Sequence, residues 1–401
     1  MIGVGVAACW IAVAGILTRL VLRRLPVLAP VALGIAATLV LVFLVIAFFD
    51  NPLGSGTDEV VYQGQAEAVS RSLSLTGDVT SRYAVLDEGK YGWPTVLGTV
   101  YWLTGADSPY LGIFLNGTVT YMALLLVAAA GQRLFPTVRP HPLHVALMVT
   151  APAVLMFGVS LMREPWAWLA IAVGMHALIS AQRGRRAEAI GLLLVSCAMA
   201  FWIRTPLAVI LVGAWGGGLF VSWVYRRTGL LGAAAALAGC FAVGLQVLVP
   251  ILAAAGYSPQ LLLIARDYLA AIASTGFVSR DPFTIVGMIE ALVRVGLGPL
   301  PWEYRPSPVW GWILLNQVHW LVVAGLALLA WRRHGGDAAR VALLAFCVVL
   351  LAGIAIGLTN YGIVVRMRAS LVVAVIPLAW GAFAPVRGRL RADEVDQVAG
   401  S

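Results

Sequence analysis

Long apolar runs follow one another along most of this sequence, and they limit its possible folds more than any other feature. A helical crossing of the bilayer core needs about 20 apolar residues, and its backbone must be hydrogen-bonded internally. Only 11% of the residues are charged, against about 25% in soluble domains. The sequence therefore predicts an all-α integral membrane protein with one transmembrane domain over residues 1–401. Its eleven candidate crossings lie at about 2–18, 27–49, 110–132, 142–161, 165–180, 189–203, 205–224, 228–255, 311–331, 341–359 and 369–385.

The positive charges are distributed unevenly between the connections. Alternate connections and the tail at 386–401 carry sixteen cations and five acids, whereas the other side carries eleven cations and thirteen acids. Cytoplasmic connections of membrane proteins retain an excess of arginine and lysine. We therefore expect a multi-pass protein of the cytoplasmic membrane, with the N-terminus outside and the tail inside. The net charge of +9 then reflects membrane topology, and we expect membrane lipids and no nucleic acid as partners.

Two connections are long, and both fall on the predicted outer side, at residues 50–109 and 256–310. Long connections in a compact protein often carry its function. In the first, residues 93–104 are apolar but too short to cross, so they predict an interfacial or re-entrant helix. In the second, apolar stretches broken by charges predict amphipathic helices at the membrane surface. Functional residues are therefore expected in these two outer loops.

Asp58 and Glu59 are adjacent acids just beyond a predicted crossing. If this segment is helical, Asp58, Tyr62 and Ala66 share one face, because they are four residues apart. A partly desolvated carboxylate at the membrane boundary is suited to taking a proton from a hydroxyl group. The alternative is a solvated acid that caps a short surface helix.

The first outer loop resembles that of the GT-C glycosyltransferases, such as the protein O-mannosyltransferases and the lipid A aminoarabinose transferases. The resemblance covers about residues 27–135 and rests on Asp58-Glu59-x-x-Tyr62-x-x-x-Ala66, Thr76-Gly77-Asp78 and Lys90-Tyr91-x-x-Pro94 before a short apolar helix. It implies a GT-C-like bundle with Asp58 as catalytic base and Lys90 on the phosphate of a polyprenyl-phosphate sugar. Tyr62 and Tyr91 are expected to bind substrate as well. The outer loops contain no DxD motif of the type used by metal-dependent oligosaccharyltransferases, which leaves metal use open; we assign no metal ligands and predict no cofactor.

Further charged residues stand where predicted helices emerge on the outer side. An ionised group near a bilayer usually faces a protein interior, a water-filled cavity or an anionic headgroup, and the arginine fork suits phosphate. Interfacial snorkelling or structural ion pairing is the alternative for each of them. A short Arg-x-Arg loop also occurs in polysaccharide polymerases, so this feature does not distinguish a glycosyltransferase from a polysaccharide polymerase. The candidate substrate-binding residues of this group are Arg163, Glu164, Arg204, Arg366 and Arg368.

The segment 298–312 combines Trp302, Glu303, Tyr304 and Arg305 between prolines. Aromatic faces beside a carboxylate and a guanidinium group are typical of sugar-binding sites, so Trp302, Glu303 and Arg305 are candidate substrate-binding residues. Trp302, with Trp310 and Trp312 of the same segment, also fits an aromatic belt at the membrane interface.

Together these features predict a membrane glycosyltransferase that moves a sugar from a polyprenyl-phosphate donor to a hydroxyl of an acceptor glycan, lipid or protein. Asp58 acts as the base, although Glu59 could exchange roles with it, and a single base predicts inversion. A polysaccharide polymerase or ligase that uses lipid-diphosphate-linked glycans is one alternative. A flippase for lipid-linked sugars is the non-enzymatic alternative, although carriers usually place polar residues near the midplane.

Overall fold

The computed structural model describes residues 2–49, 57–74, 92–254, 280–358 and 360–383, with short pieces at 263–264, 267–268, 270–271 and 275–277. Its helices are α1 (Ile2–Arg24), α2 (Ala29–Phe48), α3 (Thr57–Leu73), α4 (Gly92–Thr104), α5 (Pro109–Leu134), α6 (Pro142–Val149), α7 (Pro152–Gly158), α8 (Glu164–Gln182), α9 (Arg186–Ile203), α10 (Thr205–Ala254), α11 (Ile285–Leu297), α12 (Pro308–His334), α13 (Ala338–Ile356) and α14 (Tyr361–Ala379). Within these ranges the only β contact is an isolated bridge between Gly276 and Asn360. The predicted all-α class is therefore confirmed for the described part of the chain.

Seven helical stretches in the described part are long and apolar enough to cross a membrane. They are Pro26–Phe48, Pro109–Leu134, Arg186–Ile203, Thr205–Cys240, Pro308–His334, Ala338–Ile356 and Tyr361–Phe383. Large apolar side chains point outward from the peripheral ones, such as Leu33 and Phe48 on α2, which are 72% and 83% exposed. The remaining predicted runs are helical over most of their described residues, but the total of eleven crossings stays a prediction.

Two of the predicted runs have an interruption with a clear local cause. The run 142–161 is split into α6 and α7, because Ala151 precedes Pro152 and has an extended ψ of 116°; the residue before a proline disfavours the helical region. In α10, Gly229 has φ 75° and ψ −162°, a conformation that glycine adopts without steric penalty. The break therefore lies at Gly229, just inside the predicted run 228–255 rather than at residues 225–227.

Hydrogen bonds join the helix ends in two groups. In one group, Arg183 after α8 donates to the carbonyl of Arg133 near the end of α5, at 2.7 Å, and Arg333 near the end of α12 donates to Ala382 after α14, at 2.5 Å. The other group contains the starts of α3, α8 and α14. The arginine-rich connections thus gather at one end of the bundle, and most of the candidate site residues lie at the opposite end.

The centre of the bundle is formed by α5, α8 and α14. Within the most apolar 18-residue stretch of each helix, 72% of the α5 residues and 78% of the α14 residues are buried. The corresponding share is only 22% in α2 and in α9. α14 packs against α5, α8 and α12 and carries Arg366 and Arg368 in its second turn. The most central helix therefore delivers two of the candidate arginines to one end of the fold.

Candidate active site

Helix α3 places the two adjacent acids at its start. Asp58 and Glu59 lie in its first turn, where the helix dipole favours negative charge. Tyr62 and Ala66 are buried on the face that they share, at 3% and 0% exposed, whereas the Asp58 side chain is 51% exposed. The helical spacing predicted from the sequence is therefore present, with Asp58 at its accessible end.

Arg366 connects this first outer segment to the centre of the bundle. Its Nη1 atom lies 2.6 Å from Oδ2 of Asp58, and its Nε donates to Oε1 of Glu164, the first residue of α8. Arg366 is 13% exposed and Glu164 only 3%. One guanidinium group thus holds two carboxylates that lie far apart in the sequence.

Two more arginines surround Glu164. Its carboxylate interacts electrostatically with Arg366, Arg204 and Arg163. Arg204, at the end of α9, donates to the sulfur of Met367 at 3.0 Å, and Arg163 donates to the Ile203 carbonyl at 3.4 Å. We call Asp58, Glu59, Arg163, Glu164, Arg204 and Arg366 the acid–arginine cluster. Tyr62 lies beside it, close enough to interact with Arg204 and Arg366.

Glu59 has a different environment from its neighbour Asp58. It is 8% exposed, and it is hydrogen-bonded to the Leu161 amide and the Ser160 side chain. Burial is the main reason why the pKa of Glu59 is raised to about 7, and the nearby Asp58 adds to this effect. Glu59 therefore ties α3 to the segment before α8 and is partly protonated at neutral pH.

Arg368 contacts groups different from those of Arg366, although it is only two residues away. It is fully buried, and it donates to the carbonyls of Val295, at 2.7 Å, and Gly298. These carbonyls lie at the C-terminal end of α11, where the helix dipole favours a positive charge. The structure therefore places Arg368 as a cap of α11, outside the acid–arginine cluster with which we had grouped it.

Trp302, Glu303 and Arg305 line a cavity of about 300 Å³ together with Gly276, Phe277, Arg294, Tyr304, Trp310 and Tyr361. We call it the aromatic pocket. Glu303 accepts a hydrogen bond from the Tyr361 hydroxyl, at 2.5 Å, and forms an ion pair with Arg294. Burial opposes ionisation of Glu303, but the hydrogen bonds from Tyr361, Leu300 and Arg294 outweigh it and lower its pKa.

Several residues that shape these sites are not among the candidates predicted from the sequence. Asn116 is fully buried and donates to the carbonyls of Ser160 and Met162, both at 2.6 Å. Trp93 donates to the Leu161 carbonyl at 2.6 Å. Both side chains thus fix the segment that carries Arg163, and a polar Asn inside an apolar run was the available signal for the first. In the aromatic pocket, Arg294 and Tyr361 were missed as well.

Two candidates, Lys90 and Tyr91, lie outside the described residues, so their predicted roles stay predictions. Within the described ranges, no group of three or more His, Cys, Asp or Glu residues is placed to hold a metal ion. No protein-family model matches this chain, and no curated protein or solved structure is significantly similar to it. The resemblance to GT-C glycosyltransferases therefore rests on the sequence motif.

The acid–arginine cluster contains unsatisfied hydrogen-bonding atoms. Nη2 of Arg366 and Oε2 of Glu164 are buried and have no hydrogen-bond partner among the described residues. Such atoms cost free energy unless a ligand or water completes them. The cluster therefore offers a donor for an anionic oxygen and an acceptor for a hydroxyl group, next to the accessible carboxylate of Asp58.

Proposed function

We propose that the protein is an integral membrane glycosyltransferase that transfers a sugar from polyprenyl phosphate to an acceptor hydroxyl. One observation carries this proposal: Arg366 holds Asp58 at 2.6 Å and presents a further buried N–H that has no partner in the described part of the chain. A carboxylate that can accept a proton thus lies beside a donor that can bind a phosphate oxygen. Transfer of a phosphate-linked sugar uses both groups, a base for the attacking hydroxyl and a donor for the leaving phosphate.

In the proposed reaction, the acceptor oxygen attacks the anomeric carbon while Asp58 takes the hydroxyl proton. The bond between the anomeric carbon and the phosphate oxygen breaks, and its electron pair leaves with polyprenyl phosphate. Arg366 donates to the leaving phosphate, and Arg204 and Arg163 add positive charge nearby. Because the acceptor oxygen displaces the phosphate in a single step, the configuration at the anomeric carbon inverts.

The two adjacent acids have separate roles in this proposal. Asp58 is assigned as the base because its side chain is 51% exposed and can meet an acceptor from solution. Glu59 is assigned as the anchor of α3 because it is 8% exposed and bound to Leu161 and Ser160. Lys90 is retained as a second contact to the donor phosphate, on the strength of the resemblance.

We further propose that the chain crosses the cytoplasmic membrane about eleven times, in a GT-C-like bundle with its N-terminus outside. The grouping of arginine-rich helix ends opposite the acid–arginine cluster supports this orientation. In a variant without native cysteines, a cysteine at Ser307 is expected to react with an impermeant thiol reagent in intact cells. A cysteine at Thr228 is expected to react only after permeabilisation, and its labelling in intact cells would contradict the orientation.

The activity is tested with purified protein in liposomes that contain radiolabelled sugars on polyprenyl monophosphate, with a membrane extract as the source of acceptors. We expect release of polyprenyl phosphate and formation of a glycosidic bond without ATP or an ion gradient. Asp58→Asn keeps the side-chain volume but cannot take the proton, so we expect a loss of about 100-fold or more. Asp107→Asn is the matched control, because Asp107 is an exposed acid outside the cluster.

Other outcomes of this assay support the alternative functions. Transfer only from diphosphate-linked glycans would support a polymerase or ligase instead. Movement of the lipid between leaflets without a new glycosidic bond would support a flippase. Normal turnover by Asp58→Asn would contradict the assigned base, and loss in Glu59→Gln alone would reverse the roles of the two acids.

A further inference from the structure

The aromatic pocket and the acid–arginine cluster each include a residue from the start of α14. Tyr361 is the first residue of α14 and lines the pocket, and Arg366 follows five residues later. With a rise of about 1.5 Å per residue, the two positions are about 7.5 Å apart along the helix axis. Five residues also turn the helix by about 140°, so the two side chains leave α14 on different sides, and a molecule in the pocket has to extend past α14 to reach Asp58.

The walls of the pocket combine aromatic rings with groups that form hydrogen bonds. Tyr361 contacts Phe277 and Trp310, with ring centroids 4.6 Å and 5.8 Å apart. At the opening, Trp302 and Tyr304 are 78% and 42% exposed. Sugar rings have apolar C–H faces that stack on such aromatic surfaces, while their hydroxyl groups need donors and acceptors at the ring edge.

Charged groups supply these donors and acceptors. Glu303 and Arg294 hold each other in the wall, and Arg305 forms no ion pair within the described part of the chain. An aromatic belt at the membrane interface would not need a cavity lined by a carboxylate and two guanidinium groups. The volume of about 300 Å³ is at the lower end for small-ligand sites and is too small for a helix about 10 Å wide.

The backbone around the pocket is fixed by contacts that tolerate little change. Segment 275–277 pairs with the start of α14, where the Tyr361 amide donates to the Thr275 carbonyl at 3.1 Å. A Cβ atom at Gly298 would come within 2.7 Å of the Tyr361 hydroxyl. Tyr361 is therefore held in one position, and the pocket is formed before any ligand binds.

We propose that the aromatic pocket is the acceptor subsite and that it binds a saccharide. This inference rests on the proposed function and narrows the acceptor from a glycan, lipid or protein to a glycan. A ring of the acceptor stacks on Trp302 and Tyr304 and bonds to Glu303 and Arg305. An acceptor that extends past α14 then brings its terminal hydroxyl to Asp58, and the donor sugar is placed by Arg366.

The test uses the full protein in lipid nanodiscs on an array of immobilised neutral and acidic oligosaccharides. We expect wild type to bind a subset of these glycans and Trp302→Ala to lose about tenfold in apparent affinity. Trp302→Phe keeps an aromatic face and is expected to bind within about threefold of wild type. Trp312→Ala is the matched control, because Trp312 is 47% exposed on the same segment but does not line the pocket. It is expected to bind like wild type.

Two results would overturn the proposed subsite: no glycan retained by wild type, or equal losses in Trp302→Ala and Trp312→Ala. Asp58→Asn separates this inference from the proposed function, because it should bind glycans normally while losing transfer. If glycans bind through Trp302 but wild type transfers no sugar, the pocket stands and the transferase proposal fails. In a working transfer assay, Trp302→Ala should raise the KM for the acceptor about tenfold and leave kcat unchanged.

Discussion

Arg366 and Arg368 lie two residues apart on α14, yet they belong to two different regions of the protein. Arg366 holds the carboxylates of Asp58 and Glu164 and keeps a buried N–H without a partner among the described residues. Arg368 also has one buried nitrogen, Nη1, without a partner among the described residues, but its other nitrogens bind backbone carbonyls at the end of α11. Positions i and i+2 of a helix differ by about 200° in direction. Adjacent arginines can therefore serve two separate tasks, one at a reaction site and one in the framework.

The contacts of each arginine indicate what its substitution would affect. A carboxylate can exchange its guanidinium partner for a substrate group, because the carboxylate and the guanidinium group are both charged and a substrate can reach them. A buried helix carbonyl has no such alternative and loses its hydrogen bond if the donor is removed. We therefore expect Arg366 to govern activity and Arg368 to govern stability.

The largest expected effect is on activity, in Arg366→Lys. Lysine keeps the positive charge but loses the planar fork that holds two oxygen-bearing groups at once. We expect transfer to fall about 10- to 100-fold, with a melting temperature close to that of wild type. The rate is measured per folded protein in liposomes. A fully active Arg366→Lys would remove the distinction between the two arginines.

The second effect is on stability, in the matched variant Arg368→Lys. A lysine ammonium cannot reach the carbonyls of Val295 and Gly298 with the same geometry, and an unsatisfied buried carbonyl costs about 1–3 kcal/mol. We expect a clearly lower melting temperature in detergent, whereas the protein that remains folded transfers sugar at the normal rate. A stable but inactive Arg368→Lys would place Arg368 in the reaction site after all.

The third prediction tests the difference between Asp58 and Glu59 through pH. Burial raises the pKa of Glu59 to about 7 from 4.5, so the folded state binds this proton more tightly than the unfolded state. The cost of ionising Glu59 therefore grows as pH rises from about 4.5 to 7 and is constant above that. Glu59→Gln avoids this cost, so we expect it to be more stable than wild type at pH 8, by up to about 3 kcal/mol, and about equal at pH 4.5.

The control for this measurement is Glu67→Gln on the same helix, since the side chain of Glu67 is 33% exposed. Its stability relative to wild type is expected to change little between the two pH values. Thermal unfolding in detergent at pH 4.5 and pH 8 gives the comparison. An equal stability difference for Glu59→Gln at both pH values would contradict the raised pKa.

Sequence alone predicted the helical class and the face of α3, because apolar runs and four-residue spacing are local properties. It also selected Arg366, Glu164 and Asp58 as candidates, since charged groups near a bilayer are costly and need partners. It could not separate Arg366 from Arg368, because the difference depends on where α11 ends in space. Pairing across about 300 residues, as between Asp58 and Arg366, is set by tertiary packing and leaves no local signal.

The number of crossings was harder to predict than the helices themselves. Length and hydropathy find apolar runs, but a proline such as Pro152 divides one run into two short helices. The aromatic pocket, too, could be predicted only in part from the sequence. Trp302, Glu303 and Arg305 are close together in the sequence, whereas Arg294 and Tyr361 join them only through the fold.

The central claim is that the acid–arginine cluster binds the donor phosphate beside the catalytic base. The most direct test is an electron cryomicroscopy structure of the protein in nanodiscs with a non-hydrolysable analogue of a polyprenyl-monophosphate sugar. The claim predicts phosphate density within hydrogen-bonding distance of Nη2 of Arg366, with the anomeric carbon facing Asp58. Phosphate density at the opposite, arginine-rich end of the bundle, with the cluster unchanged from its ligand-free geometry, would contradict it.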